Sequence, residues 1–436
     1  MRRSLSVGQW ARVALRVARH AQASRKELVE FQSARLRRIV RHAWEHVPFY
    51  RALFERAGVR PEDVRGIGDL GRLPIVEKAE LRGQPLSEIT ARGTDLEALL
   101  ERHTSGSTGQ PFTIRRTPAE DRLLYLFRLR AHRQCGVQAF DRMALLVEPT
   151  IGGDGKRSRL RRLRHSLGMF RLESLSCFEE PEVLLKQLDE LAPAVIAGYP
   201  STLALVAQRL RHADFPRIRP RTVLAGAEPL EPHVRERIRQ AFGVPVFDLY
   251  GAHELGLIAW ECPQGGALHV CDDNLILEVL RDGRPAAEGE RGEVVATGLH
   301  SFAIPFIRYR IGDLVARGAQ TCRCGQPFSL LHAIDGRAAH YLSLGGRSVH
   351  PFELTGRLLQ GDVSWIDRHQ FAQEREDVVV LRIAPLAAPP AGALERIEEI
   401  GRSALGAGVR FRVELVDSFP LDPSGKFRSY VALGDS

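Results

Sequence analysis

The sequence predicts an α/β fold with a large N-terminal domain of parallel and mixed sheets, residues 1–336, and a small α+β C-terminal domain, residues 337–436. Two observations predict it. Within residues 220–256, "RTVLAGAEPL" reads as a short buried strand ending in a turn. "EPHVRERIRQAFG" then sets Val234, Ile238, Ala241 and Phe242 at helical spacing, with Gly243 closing the helix, and "VPVFDLYG" is a second strand. Such a crossover makes the two strands parallel, so "GAEP" and "YGAHE" emerge on the carboxyl edge, where open α/β sheets bind ligands. After "DGR" at 335–337 the pattern starts over as strand "DVVVLRI", helix "ALERIEEIGRSAL" and strand "VRFRVELV", in which Val409, Phe411, Val413 and Leu415 share one side.

The remaining elements follow in chain order. A helical start covers roughly residues 8–60. In it Trp10, Val13, Leu15, Val17 and Ala18, set among arginines, form a basic amphipathic helix expected to dock on the rest of the protein rather than on a membrane surface. "GDLGRLPIVEKAEL" is punctuated by glycine and proline into short elements. "LILEVL" near 275 and "GEVVAT" near 292 alternate as antiparallel strands with one wet face.

Charges interrupt every apolar stretch, so no segment suits a bilayer, and the N-terminus lacks the apolar run of a secretory signal; a cytoplasmic location is expected. The formal charge of +9, with arginine greatly outnumbering lysine, favours anionic partners such as nucleotides, coenzyme A or acidic carrier proteins. The basic run "GKRSRLRRLRH" at 155–165 reads as a solvated loop, or as a contact for CoA phosphates or an acidic carrier. Nucleic acid is not expected, because no aromatic interleaving or DNA-binding module accompanies these charges.

In "TSGSTGQP", Gly106 and Gly109 permit tight backbone, while Thr104, Ser105, Ser107 and Thr108 add hydroxyls beside exposed N–H groups. That combination suits a polyphosphate, although it lacks the G-x-x-x-x-G-K-[ST] pattern and taken alone also reads as a Ser/Gly linker. Four more stretches follow in order: "YGAHE" at 250–254, "YRIGD" at 309–313, "DGR" at 335–337 and "PSGKFR" at 423–428. Together with "GYPSTL" at 198–203 and the early "VPFYRALFERAGVRPEDVRGIGDLGRLPIVEKAELR", they resemble the adenylate-forming superfamily over nearly the whole chain, most closely its phenylacetate–CoA ligase and CapK-type branch.

That resemblance implies a role for each motif. The loop from Ser105 to Gly109, with Thr104, would close on the β- and γ-phosphates of ATP. Gly226, Ala227, Glu228 and Pro229 would line the adenine pocket through their backbone, with Asp248 and Gly251 beside them and Tyr250 along the adenine ring. Glu254 would help hold Mg²⁺, and Asp313 would accept hydrogen bonds from both ribose hydroxyls. Arg337 falls at the hinge between the domains and would contact ribose or phosphate, and Lys426 would stabilise the negative charge that develops at the α-phosphate. Two positions depart from the family pattern. Gln110 replaces a common lysine, and His253 stands where threonine is common, leaving its contact with α-phosphate or substrate carboxylate open.

Of the six cysteines, Cys135 and Cys177 read as buried small hydrophobes. Cys262 and His269, with six residues between them, and the C-x-C of Cys322 and Cys324 supply ligands for a closed tetrahedral zinc site, with Cys271 as the alternative to His269. Such a site is structural. The resulting expectation is a ligase that activates a small carboxylic acid, aromatic or arylacetic, with Mg·ATP and then forms a thioester with coenzyme A. Tyr199 and Pro200 are candidates for the acyl pocket. The alternatives are transfer to an amine, carrier protein or polysaccharide precursor, or a non-catalytic nucleotide-binding homologue; a homodimer is left open.

Overall fold

The computed structural model describes residues 6–103, 113–147, 171–210, 215–319, 321–337, 342–344, 347–349, 354, 357–358, 363, 365–406, 408–420 and 427–431. Its main sheet has twelve strands and changes sense part-way across. From one edge, Arg171–Ser176, Arg142–Val147, Val195–Gly198, Thr222–Gly226 and Val246–Ala252 run parallel. From Val246–Ala252 onward, Gly256–Glu261, Leu268–Val270, Leu330–Arg337, Tyr309–Arg317, Arg291–Gly298, Leu275–Arg281 and Arg284–Pro285 pair antiparallel.

The parallel half is apolar on both faces because helices cover both. Ile196, Val223 and Ala225 face helices Pro181–Leu191, Pro200–Leu210 and Pro232–Phe242, while Val195, Ala197 and Leu224 face helix Pro118–Gln134. The expected β-α-β unit is present, with Val223 to Gly226 in register with Val246 to Leu249. Gly226 is required there, since a Cβ on it would lie 2.7 Å from the Leu249 carbonyl oxygen.

One expectation of the antiparallel half fails. Val294, Val295, Ala296 and Thr297 are all buried, so only the Arg291–Glu293 end of strand Arg291–Gly298 keeps a wet side. Helices Arg25–His46 and Pro48–Arg56 share a core with Val294 and Ala296 on one face, while Val295 and Thr297 are buried on the other, which alternation within the strand cannot reveal. The first helix, Val7–Arg19, docks as expected: Val17 is buried, Arg130 donates to its carbonyl oxygen at 3.0 Å, and Arg122 lies 5.0 Å from the Trp10 ring.

The small domain is a four-stranded sheet in the order Arg410–Leu415, Val378–Pro385, Ile366–Arg375, Tyr430–Val431, with helix Ala393–Leu405 packed on it. Strand Ile366–Arg375 is not legible in the sequence, because the charges of "IDRHQFAQER" hide its inward residues Ile366 and Phe371. Gly401 seats the helix on Phe411, whose ring carbon lies 2.2 Å from where a Cβ would be. In a helix interior, Gly→Ala ordinarily stabilises by about 1 kcal/mol. Here Gly401→Ala is expected to lower the melting temperature by crowding Phe411, and Phe411→Leu in the same chain to recover part of the loss; calorimetry on the full chain reads both.

Candidate active site

Three of the sequence motifs meet at the carboxyl edge of strands Thr222–Gly226 and Val246–Ala252. After Gly226 the backbone turns through Ala227 in the left-handed region, φ 68°. Gly336, φ 98°, approaches the same turn, and a Cβ on it would lie 3.4 Å from Pro229 Cγ. Because strand Leu330–Arg337 pairs with Tyr309–Arg317, the Arg337 main chain lies opposite Asp313. Across this space the Tyr250 hydroxyl donates to Asp313 Oδ2 at 2.6 Å, with both residues buried.

Glu254 lies beside them, also buried. It accepts a hydrogen bond from the Tyr309 hydroxyl at 2.9 Å, and the Lys78 ammonium stands 3.4 Å from the same oxygen. Lys78 is a site residue that the motifs missed. It is delivered by Val76, whose N–H donates to the Arg308 carbonyl oxygen at 2.9 Å and whose carbonyl accepts from the Arg310 N–H at 3.0 Å. Only five of the 62 basic Lys and Arg residues are lysines, and Lys78 lies within the early stretch at 47–82 that carries the family resemblance. His253 contributes its carbonyl oxygen, which accepts from the buried Arg116 guanidinium, while its ring is half-buried.

Arg116 ends a hairpin formed by Leu100–His103 and Thr113–Arg116, in register from His103↔Thr113 to Leu100↔Arg116. Residues 104–112 join those strands. Thr104, Ser105, Gly106, Ser107, Thr108, Gly109 and Gln110 thus lie outside the described residues, as do Lys426 and the basic run at 155–165. The neighbour of Lys426 is described. Phe427 donates its N–H to Glu228 Oε1 at 2.9 Å, and Glu228 also accepts from the Ser201 N–H at 2.9 Å and hydroxyl at 3.0 Å. The Glu228 side chain thus receives the small domain, and burial raises its pKa. Arg237 bonds Asp367 Oδ1 at 2.6 Å across the same seam, and Arg368 donates to the Ser201 carbonyl oxygen at 3.3 Å.

Tyr199, before the helix that begins at Pro200, is buried against Val147 and Cys177 at the ends of neighbouring strands, with Pro200 buried beside it. Gly251 is exposed at the strand end. Asp248 is buried on the strand, where its N–H donates to Glu261 Oε2 at 2.9 Å and Glu261 in turn pairs with Arg235 at 2.8 Å.

Four ligand atoms, from Cys262, His269, Cys322 and Cys324, lie within 4.8 Å of one another. Cys322 and Cys262 are 3.6 Å apart at sulfur, Cys324 Sγ is 3.2 Å from His269 Nε2, and the Gln264 N–H donates to Cys262 Sγ at 3.4 Å. Gly265 allows the close turn, a Cβ there falling 3.1 Å from Cys322 Sγ. Cys271 lies elsewhere: its sulfur accepts from Arg130 at 3.3 Å, beside Asp273. Among the described residues the fourth member is therefore His269.

Fold and site define a two-lobed α/β protein whose motif residues converge beside the seam of its lobes. Residues 168–303 match the AMP-binding enzyme family. The chain is 29% identical to the phenylacetate-coenzyme A ligase of Thermus thermophilus over 348 residues, 77% of this chain and 76% of that one. It is 21% identical to the protein CapK of Staphylococcus aureus over 413 residues, 92% of this chain and 88% of that one. A crystal structure of 2-hydroxyisobutyryl-CoA ligase in the postadenylation state shares the fold, with TM-score 0.78, 24% identity, and coverage of 95% of this chain and 91% of that one. The chain is thus similar in sequence to AMP-binding enzymes and to phenylacetate-coenzyme A ligases. No helix among the described residues is long and apolar enough to cross a membrane.

Burial, then the neighbouring Glu261, pushes the Asp248 pKa up to about 7. A carboxyl that holds its proton more tightly when folded contributes stability below its unfolded pKa and loses it as pH rises through about 7. Asp248→Asn, which cannot ionise, is expected to match the wild type near pH 4 and to melt higher at pH 8; thermal unfolding across that range measures the difference.

Proposed function

We propose that this protein activates a carboxylic acid, aromatic or arylacetic, with ATP and passes the acyl group to the thiol of coenzyme A. A carboxylate oxygen of the acid attacks the α-phosphorus, the bond to the bridging oxygen breaks, and pyrophosphate leaves. The thiol of CoA, giving up its proton, then attacks the acyl carbon of the adenylate and AMP leaves. One observation carries the reading: Tyr250, Asp313 and Glu254 converge at the carboxyl edge while the chain beside Lys426 is tied to the same turn through Glu228.

In this reading Asp313, held by Tyr250, accepts the ribose hydroxyls, since an ionised carboxylate only accepts. The "GAEP" backbone and Tyr250 flank the adenine, and Gly251, Asp248 and Arg337 complete the nucleotide side. Residues 104–109 would take the β- and γ-phosphates through hydroxyls and N–H groups. Lys426 would meet the charge growing at the α-phosphate, and an ammonium so placed lowers the barrier most in a site closed to water. His253 lies beside Glu254, where a carboxylate substrate would arrive. Buried Tyr199 and Pro200 would bound the acyl group.

Mg²⁺ fits Glu254, because that ion takes one or two carboxylates and leaves its other positions to phosphates and water, where it offsets their charge. Zn²⁺ fits the Cys262, His269, Cys322 and Cys324 cluster, whose four N and S donors match a closed structural site away from the reaction.

The small domain, residues 337–436, would turn about Asp335–Arg337 between the two steps, withdrawing Lys426 and admitting CoA. Pyrophosphate–ATP exchange with benzoate, phenylacetate, anthranilate and fatty acids is expected to be acid-dependent and strongest with an aryl acid. Exchange with none of them sinks the ligase reading. Lys426→Ala is expected to lose exchange by at least a hundredfold yet keep thioester formation from supplied acyl-adenylate and CoA.

A further inference from the structure

A second group of convergent side chains lies outside the pocket, on the seam itself. Glu231 and His233 belong to the large domain, at the start of helix Pro232–Phe242; His369 belongs to the small domain, on strand Ile366–Arg375. One ligand atom from each lies within 4.8 Å of the other two. Glu231 Oε2 is 3.4 Å from His233 Nδ1 and 3.6 Å from His369 Nδ1, and the two rings are 6.1 Å apart at their centroids.

These contacts are not hydrogen bonds. Among the described residues Glu231 Oε2 is buried with no hydrogen-bond partner, a costly state for a carboxylate oxygen. Glu231 occupies the N-cap position of its helix, yet its side chain makes no capping bond and turns to the histidines instead. Donors about 2.0–2.1 Å from a tetrahedral zinc lie about 3.3 Å from one another. The separations of 3.4 and 3.6 Å match two edges of such a tetrahedron. Two imidazoles with one carboxylate suit zinc and its first-row neighbours. Arg237, one turn along from His233, brings a positive charge nearby, but its guanidinium is bonded to Asp367 at 2.6 Å.

We propose that Glu231, His233 and His369 form a binding site for a divalent transition metal of the zinc type, which bridges the two domains and leaves one coordination position to solvent. Two ligands come from one lobe and one from the other, so binding stabilises this arrangement of the lobes over any that separates His369 from Glu231. The site does not depend on which reaction the protein performs.

The test uses the full chain, stripped with a chelator and titrated with zinc alone. Wild type is expected to hold two equivalents, and His369→Gln and Glu231→Gln one each. The Cys322→Ser, Cys324→Ser double variant is expected to keep the seam equivalent, now with only N and O neighbours near 2.0 Å in X-ray absorption and no sulfur at 2.3 Å. In that double variant zinc is expected to raise the melting temperature, and adding His369→Gln is expected to weaken zinc binding at least tenfold. The absorption measurement on the double variant tests the site even if a histidine variant fails to fold. Failure of the double variant to bind zinc, sulfur in its coordination shell, or binding indifferent to His369→Gln overturns the proposal.

Discussion

The Tyr250 hydroxyl and the Asp313 carboxylate, 2.6 Å apart, join two strands that are four places apart in the main sheet. At about 4.8 Å per strand, a flat sheet would hold them about 19 Å apart. Their contact therefore requires the antiparallel half to curl back over the carboxyl edge of the parallel half. Short strand Leu268–Val270, paired to Leu330–Arg337 at only two positions, lets the sheet bend there. The curl turns an open edge into a pocket, bringing "YRIGD" and "DGR" over "GAEP" and Glu254 against Tyr309.

A buried ion network anchors the outer side of that curl. Arg130 bonds both oxygens of Asp273, at 2.6 and 2.8 Å, beneath the ring of Phe328, and His20 bonds the same carboxylate at 2.8 Å. Asp273 is held well below the usual carboxylate range: burial opposes its charge, and Arg130 and His20 outweigh burial. The network fastens the N-terminal helices to the loop after Val270, and it engages Cys271. It therefore accounts for the exclusion of that cysteine from the cluster of Cys262, Cys322 and Cys324.

The seam between the lobes has a different character. Its contacts are polar: Arg237 with Asp367, Arg368 with Ser201, and Glu228 with the Phe427 amide. Interfaces of this kind can be exchanged for water at small cost, unlike an apolar core cut in half, and they suit domains that move relative to each other. The small domain keeps its own apolar core around Leu381, Ile397 and Phe411, so such motion need not disturb its packing.

Much of this was legible along the chain. The β-α-β unit announced itself because a buried strand, an amphipathic helix and a second strand each follow local rules of periodicity. The order of motifs carried the resemblance to the adenylate-forming superfamily because each motif is a short run of chemistry. The cover over strand Arg291–Gly298 and the strand hidden in "IDRHQFAQER" were not legible, since both depend on what packs against them. Folding decided which side chains meet: Lys78 with Glu254, His269 rather than Cys271 with the cysteine pairs, and His369 with Glu231 and His233. Spacing along a chain dictates which face of a helix or strand a residue occupies. The register and curl of a sheet assembled from distant strands dictate what lies across from it, and no local pattern carries that information.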